Sequence, residues 1–188
     1  MSPVRLLLIS GSLRAGSSNT AVLATARVVA PEGVVAELYP GLRELPHFNP
    51  DDDLEGATPH PAVAALRSAL GTADALLVCT PEYAGALPGS FKNLLEWTVG
   101  GGETYRMPVA WINAAGPAAP TGAADAHASL RKVLEYTGAE ILESACARIP
   151  VERSAVGSDG LVGDPQAREA IGASVLALAR HVSESTAP

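Results

Sequence analysis

A parallel α/β fold is predicted for this 188-residue chain, because strand-like and helix-like runs alternate along its length. Two further observations support that class. The strand-like runs are apolar almost throughout, Ala75-Leu76-Leu77-Val78-Cys79 being the clearest, as strands buried on both faces must be. The first apolar run also passes into a small polar turn and then into a helix-like run.

The elements follow in order. Val4-Arg5-Leu6-Leu7-Leu8-Ile9-Ser10 is the first strand, and a helix is expected over 20–30 after a turn rich in Ser and Asn. A second strand is expected over 34–39. The stretch 40–61 holds Pro46, Pro50 and Pro59 and is expected to be a long connection. Its Asp51-Asp52-Asp53 is read as a solvated loop, since no second acidic cluster stands at metal-ligand spacing. Pro61 sits at the start of a helix expected over 60–71, where its missing N–H costs little. Strands over 73–80 and 107–114 and helices over 89–99 and 123–136 continue the alternation, with Gly138 as a stop for the last of these. A fifth strand is expected over 141–150, and a final helix over 165–183 with Asp164 as its cap and Pro165 in its first turn.

Length and composition bound the function. A chain of this size suits one well-buried core, so residues 1–188 are expected to form one domain. A net charge of −7 argues against nucleic acid and anionic membrane as partners, since both require a cationic surface. No apolar run approaches a membrane span, and with the first strand starting so early no signal peptide is expected. Cys79 and Cys146 lie in apolar segments without metal spacing, consistent with small buried side chains in a reducing cytoplasm.

Three loops at strand ends carry the chemistry. In open sheets of this class, ligands sit beyond the carboxyl ends of the strands at the topological switch point. The first loop is Gly11-Ser12-Leu13-Arg14-Ala15-Gly16-Ser17-Ser18-Asn19-Thr20. Backbone N–H groups at a helix start, several hydroxyls, an amide and a forked guanidinium are the donors a phosphate needs. Gly11 and Gly16 have P-loop separation, but Ser17 replaces the lysine, which argues against a nucleotide triphosphatase. Leu13 replaces the second glycine of the dinucleotide fingerprint, so a pyrophosphate is disfavoured and a terminal monophosphate suits better. An ordinary strand–helix turn with a serine cap is the alternative. The second loop, from Thr80 through Pro81-Glu82-Tyr83-Ala84-Gly85 to Pro88, is stiffened by two prolines and presents backbone groups that match the edge of a heteroaromatic ring. A rigid connector with Tyr83 packed on a neighbour is its alternative. The third, Asn113-Ala114-Ala115-Gly116-Pro117-Ala118-Ala119-Pro120-Thr121-Gly122, has little side-chain bulk and can lie flat beside a ring.

The first two loops, in this order and at these strand ends, resemble the NAD(P)H-dependent FMN reductase family, which includes flavodoxin-like quinone, azo-dye and chromate reductases. The likeness runs from the first strand to about Leu134. It implies a flavodoxin-like three-layer fold with a five-stranded parallel sheet in the order 2-1-3-4-5. It places an FMN phosphate at Ser12, Arg14, Ser17, Ser18, Asn19 and Thr20. It places the ring and ribityl chain against Pro81, Glu82, Tyr83, Ala84 and Gly85, with Ala115 and Gly116 closing the other edge. The segment Leu45-Pro46-His47-Phe48-Asn49 is similar to a family loop near the subunit interface or the nicotinamide side.

The resemblance further implies an FMN-dependent oxidoreductase. Hydride would pass from NAD(P)H to the flavin, and then to a quinone, free flavin, azo compound or metal oxyanion. It implies a homodimer or homotetramer, with Glu82, Tyr83 and the helix after Pro88 as interface candidates. No side chain is nominated as catalytic and none as a metal ligand, because the flavin carries the difficult chemistry. Two positions depart from the family pattern. Ala84 stands where many members have asparagine, and Asp125 offers no cation for a nicotinamide 2′-phosphate. His127 is read as an exposed helix residue, with a substrate-side role as the alternative. A flavodoxin-type electron carrier for protein partners is the competing function, disfavoured by scarce aromatics and small, open loops. A regulatory protein that kept the phosphate pocket is a third option.

Overall fold

The structure is a computed structural model and describes residues 2–185. Met1 and residues 186–188, the ends of the expected 1–188 domain, lie outside the described residues. Six strands form one sheet: β1 (Val4–Ser10), β2 (Val34–Leu38), β3 (Ala75–Cys79), β4 (Pro108–Asn113), β5 (Glu140–Ile141) and β6 (Ala147–Arg148). Five helices surround it: α1 (Ser18–Val29), α2 (Pro61–Gly71), α3 (Gly89–Glu96), α4 (Ala124–Tyr136) and α5 (Pro165–Ser185). All pairings are parallel, in the order β2-β1-β3-β4-β5. The expected flavodoxin-like order is therefore present, and the chain reverses direction across the sheet between β1 and β3.

Both faces of the sheet are covered because its strands are apolar at consecutive positions. In β1, Leu6 and Leu8 face the layer formed by α1 and α5, where they meet Val22, Leu23, Val175 and Leu178. Leu7 and Ile9 face the opposite layer, with Leu66 of α2, Phe91 and Leu94 of α3, and Leu130 of α4. The period-two alternation of side chains sends neighbouring leucines into different cores.

Two expectations are corrected. The fifth strand is not continuous over 141–150. β5 pairs with the start of β4, Val109 opposite Ile141, whereas β6 pairs with its end, Ile112 opposite Ala147. The extra residues between them are taken up by the 3-10 turn Glu143–Ala145. That turn drives Ala145 into the core and lets Glu143 pair with Arg131. The acidic run at 51–53 is not uniformly solvated either. Asp51 and Asp52 are exposed, but both oxygens of Asp53 accept from Arg67 Nη2, at 2.8 and 2.9 Å. Arg67 also donates to the Trp97 carbonyl at 2.9 Å and lies 3.3 Å from Glu103 Oε1. This partly buried cluster ties the long 40–61 connection to α2 and to the segment after α3. Phe48 in that connection packs edge-on to Trp97 at 5.0 Å, and Trp97 Nε1 donates to the Pro46 carbonyl at 2.9 Å. Among the described residues, no helix is long and apolar enough to cross a membrane.

Candidate active site

The first loop leaves β1 through a close backbone approach. Gly11 N–H donates to the Cys79 carbonyl at 2.9 Å, which extends the β1–β3 ladder by one residue. A Cβ at Gly11 would stand 2.7 Å from Thr80 Cβ, so only glycine lets the two strand ends meet here. Ser17 then caps α1: its Oγ accepts from Asn19 N–H at 3.2 Å. The hydroxyl proton of Ser17 stays free for an outside acceptor. Asn19 is buried and held by the Cys79 thiol, which donates to its Oδ1 at 3.3 Å. Burial pushes the Cys79 thiol well above its ordinary value, so it is a structural donor and no nucleophile.

The second loop is a tight reversal. Tyr83 and Ala86 exchange both backbone hydrogen bonds at 3.1 Å, and the two residues between them, Ala84 and Gly85, have φ of +52° and +71°. Two successive left-handed residues make the turn that suits twisted strands. Glu82 reaches away from this turn. Its Oε1 accepts from Thr121 Oγ1 at 2.6 Å and its Oε2 from Ala126 N–H at 3.0 Å. The Thr121 hydrogen bond, aided by that N–H, holds the Glu82 carboxyl below the usual range.

Asn113, the last residue of β4, shapes the third loop with its side chain. Its Oδ1 accepts from Ala115 N–H at 3.0 Å and its Nδ2 donates to the Gly122 carbonyl at 2.8 Å. Both ends of the loop are thus pinned to one residue. The chain after β6 runs alongside: Ile149 N–H donates to the Asn113 carbonyl at 2.9 Å and Val151 N–H to the Ala114 carbonyl at 3.2 Å.

These loops enclose an open cleft of about 260 Å³ at the carboxyl ends of β1, β3 and β4. Ten of the expected residues line it. Ser12, Arg14, Ser17, Ser18 and Asn19 form one end, Pro81, Glu82 and Tyr83 one wall, and Ala115 and Gly116 the other. Three expected residues stand elsewhere. Thr20 turns inward, with its Oγ1 2.9 Å from Ser10 Oγ, and borders a neighbouring hollow. Ala84 and Gly85 form the exposed tip of the second loop, outside the lining. Arg14 borders both the cleft and the neighbouring hollow.

The lining also holds residues that sequence reasoning did not select. Thr80, Ala114, Ala119, Pro120, Thr121 and Ala123 belong to the second and third loops or their flanks and could have been taken with them. Arg153 had no local signal, because it comes from a 3-10 turn far along the chain. His127 is a correction. It is neither exposed nor at the cleft. It lies buried on α4 with its ring 5.9 Å from Trp111 and its Nδ1 2.7 Å from the Ala123 carbonyl. A carbonyl only accepts, so Nδ1 carries the proton, and Nε2 is buried with no partner among the described residues. Burial lowers the His127 pKa from its ordinary value.

A donor-lined cleft at the switch point of a doubly wound parallel sheet defines this protein as a flavodoxin-like ligand-binding α/β protein. The sequence pattern of the family described as NADPH-dependent FMN reductase matches residues 4–150. The chain belongs to that family and is an FMN-dependent oxidoreductase that uses NAD(P)H. It is 34% identical over 170 residues to an NAD(P)H-dependent FMN reductase of Pseudomonas aeruginosa, covering 89% of each chain. It is 32% identical to a quinone reductase of Escherichia coli over 94 residues, half of each chain. Among solved structures it resembles FerB, a flavoenzyme NAD(P)H:(acceptor) oxidoreductase from Paracoccus denitrificans, with a TM-score of 0.81 and 26% identity over 96% of this chain and 98% of that one.

Proposed function

We propose that the strand-end cleft holds FMN and that the protein passes reducing equivalents from NAD(P)H to a small planar acceptor such as a quinone or a free flavin. The donor set fits the cofactor. At one end, the first turn of α1, the hydroxyls of Ser12, Ser17 and Ser18 and the Arg14 guanidinium suit a phosphate dianion. At the other, Pro81, Tyr83, Ala115 and Gly116 offer small or flat surfaces to a ring. Ala84 and Gly85 shape the turn that carries Tyr83, and Thr20 supports the phosphate loop from beneath through Ser10.

Bound FMN supplies hydride acceptance from NAD(P)H and donation to the acceptor. The chain positions it. Glu82 locks the second loop to the third, and Asn113 fixes both ends of the third loop, so the two walls are set before a ring enters. The observation that carries this proposal is the convergence of three separate loops on one cleft with donors at one end and small or flat surfaces at the other. The small third-loop residues leave room for nicotinamide and acceptor to use the same face in turn, and a quinone is the acceptor class we favour over azo compounds and metal oxyanions. We also propose that residues 1–188 act as one FMN-binding domain in the cytoplasm. We propose assembly as a homodimer, or a homotetramer built from it. An apolar hollow between α3 and α4, lined by Leu95, Val99, Val133 and the exposed Tyr136, supports a subunit contact there.

The decisive experiment is anaerobic. Purified protein loaded with FMN should lose its visible flavin absorbance on addition of NADH or NADPH, without any protein partner, and recover it on addition of a quinone. Steady-state rates should give parallel double-reciprocal lines. Bound FMN that neither nucleotide bleaches would favour the electron carrier and overturn this proposal.

A further inference from the structure

The family match ends at residue 150, and the cleft does not. Three residues beyond that limit, Arg153 joins the lining together with Ser12, Arg14 and Ser17. We infer that Arg153 is a second cation for the phosphate monoester of the cofactor, lining the same cleft as Arg14 beside the phosphate loop. This rests on the cleft being an FMN site.

The placement is built by the fold. Hydrogen bonds from Ile149 and Val151 to the carbonyls of Asn113 and Ala114 continue the β6–β4 ladder past the strand end. They carry the chain across the third loop toward the first. A 3-10 turn at Arg153–Ala155 then halts it there, held by Ala155 N–H to the Glu152 carbonyl at 3.0 Å and by Gly163 N–H to the Ala155 carbonyl at 3.0 Å. Arg153 Nη2 ends 4.0 Å from where a Cβ on Gly16 would stand, directly beside the phosphate loop.

The charge is also uncommitted. Among the described residues Arg153 forms no ion pair, whereas Arg67 and Arg131 are both paired with carboxylates. The neighbouring acid, Glu152, is 3.4 Å from the Ser154 hydroxyl. Arg14, at the same cleft, likewise forms no ion pair among the described residues, so two guanidiniums without a carboxylate partner stand at one hydroxyl-lined cleft. Its fork matches two phosphate oxygens at once, and with Arg14 it would balance a dianion. The same chemistry would serve the 2′-phosphate of NADPH, but the position beside Gly16 favours the phosphate held by the first loop.

The test compares FMN and riboflavin binding to apoprotein by flavin fluorescence, for the wild type, Arg153→Gln and Arg153→Lys. Arg153 is exposed, so the variants should keep the wild-type thermal midpoint as apoproteins. Arg153→Gln should weaken FMN about tenfold to a hundredfold, the range for a hydrogen-bonded charge, and leave riboflavin within about twofold. Arg153→Lys should fall between, because it keeps the charge and loses the fork. The salt dependence of FMN binding should also flatten in Arg153→Gln. Unchanged FMN affinity, or equal weakening of both ligands, overturns the inference. So does an effect confined to the KM for NADPH with FMN binding intact, which would assign the guanidinium to the 2′-phosphate. Wild-type protein that binds FMN and riboflavin equally would instead overturn the cofactor site itself.

Discussion

Glu82 caps a helix to which it is not joined: its carboxylate accepts from the backbone N–H of Ala126, in the first turn of α4, 44 positions along the chain. The residue at that helix's own cap position, Ala123, is left-handed at φ +61° and has no side-chain acceptor to offer. The second loop therefore supplies what the third loop lacks. One carboxylate satisfies an orphan donor, favours the positive end of the helix dipole and ties two walls of the cleft together.

Glu82→Ala should therefore do more than remove a surface charge. The thermal midpoint should fall by a few degrees, and amide exchange at Asp125 and Ala126 should accelerate relative to the sheet. Exchange unchanged at those two amides would show that the cap is not holding the helix start.

The same carboxylate sets an acid limb. Its pKa is held down in the fold by the Thr121 hydrogen bond and the Ala126 N–H, so its stabilisation is fully present above the ordinary carboxylate value. It is lost as pH falls through the lowered folded value. Glu82→Gln should flatten the stability profile below about pH 4.5 in denaturant titrations, and leave its slope near neutrality unchanged.

His127 acts in a different window. Burial lowers its pKa below the ordinary 6.5, so the unfolded chain takes up a proton that the fold resists. Stability is complete above about pH 6.5 and declines as pH falls from there toward the folded value. His127→Phe keeps a ring against Trp111 and removes the titration, so it should lessen the loss as pH falls below about 6.5. Proton NMR should place the His127 titration below the ordinary histidine value.

Arg67 holds two carboxylates that are largely out of water, with Asp53 10% and Glu103 14% exposed at the side chain. Arg67→Met would leave both charges unpaired at similar volume. A loss of about 3–5 kcal/mol is expected in urea unfolding, as for breaking a buried pair from one side. The double change Arg67→Met with Asp53→Leu should recover part of it.

Ala84 takes a left-handed φ of +52°, which a Cβ disfavours by about 1 kcal/mol. Ala84→Gly or Ala84→Asn should raise stability by about 0.5–1 kcal/mol, since both residues accept that conformation more readily. Unchanged or lowered stability would mean that the turn relaxes without strain in solution.

The ladder of strands and helices was legible because burial on both sheet faces leaves apolar runs that need no partner to be recognised. The start of α1 was read two residues late, at 20, because the loop offers several capping hydroxyls and only the fold shows that Ser17 is the one used, its oxygen acting two positions away. The split between β5 and β6 was not, because the segment from Ile141 to Ile149 is apolar enough to pass for one strand. The break comes from where β4 presents its two ends. His127 misled for a related cause: a polar residue early in an amphipathic helix looks solvent-facing until Trp111 of another element closes over it.

Chemistry carried by neighbours along the chain was written in the primary structure. The hydroxyls and guanidinium of residues 12–18 and the Pro-Glu-Tyr loop occur as contiguous runs, and local backbone geometry is enough to present them together. Assembly in space decided the remainder. Arg153 enters the cleft because a ladder to β4 steers a distant turn there, and Glu82 faces Ala126 because β3 and β4 are neighbours in the sheet. Asp53 leaves solvent because Arg67, on a helix packed against its loop, offers a cation and the Trp97 carbonyl shares it. The hydrogen bonds among them join residues 14 to 44 positions apart, and no local pattern encodes a partner that only chain closure brings within reach.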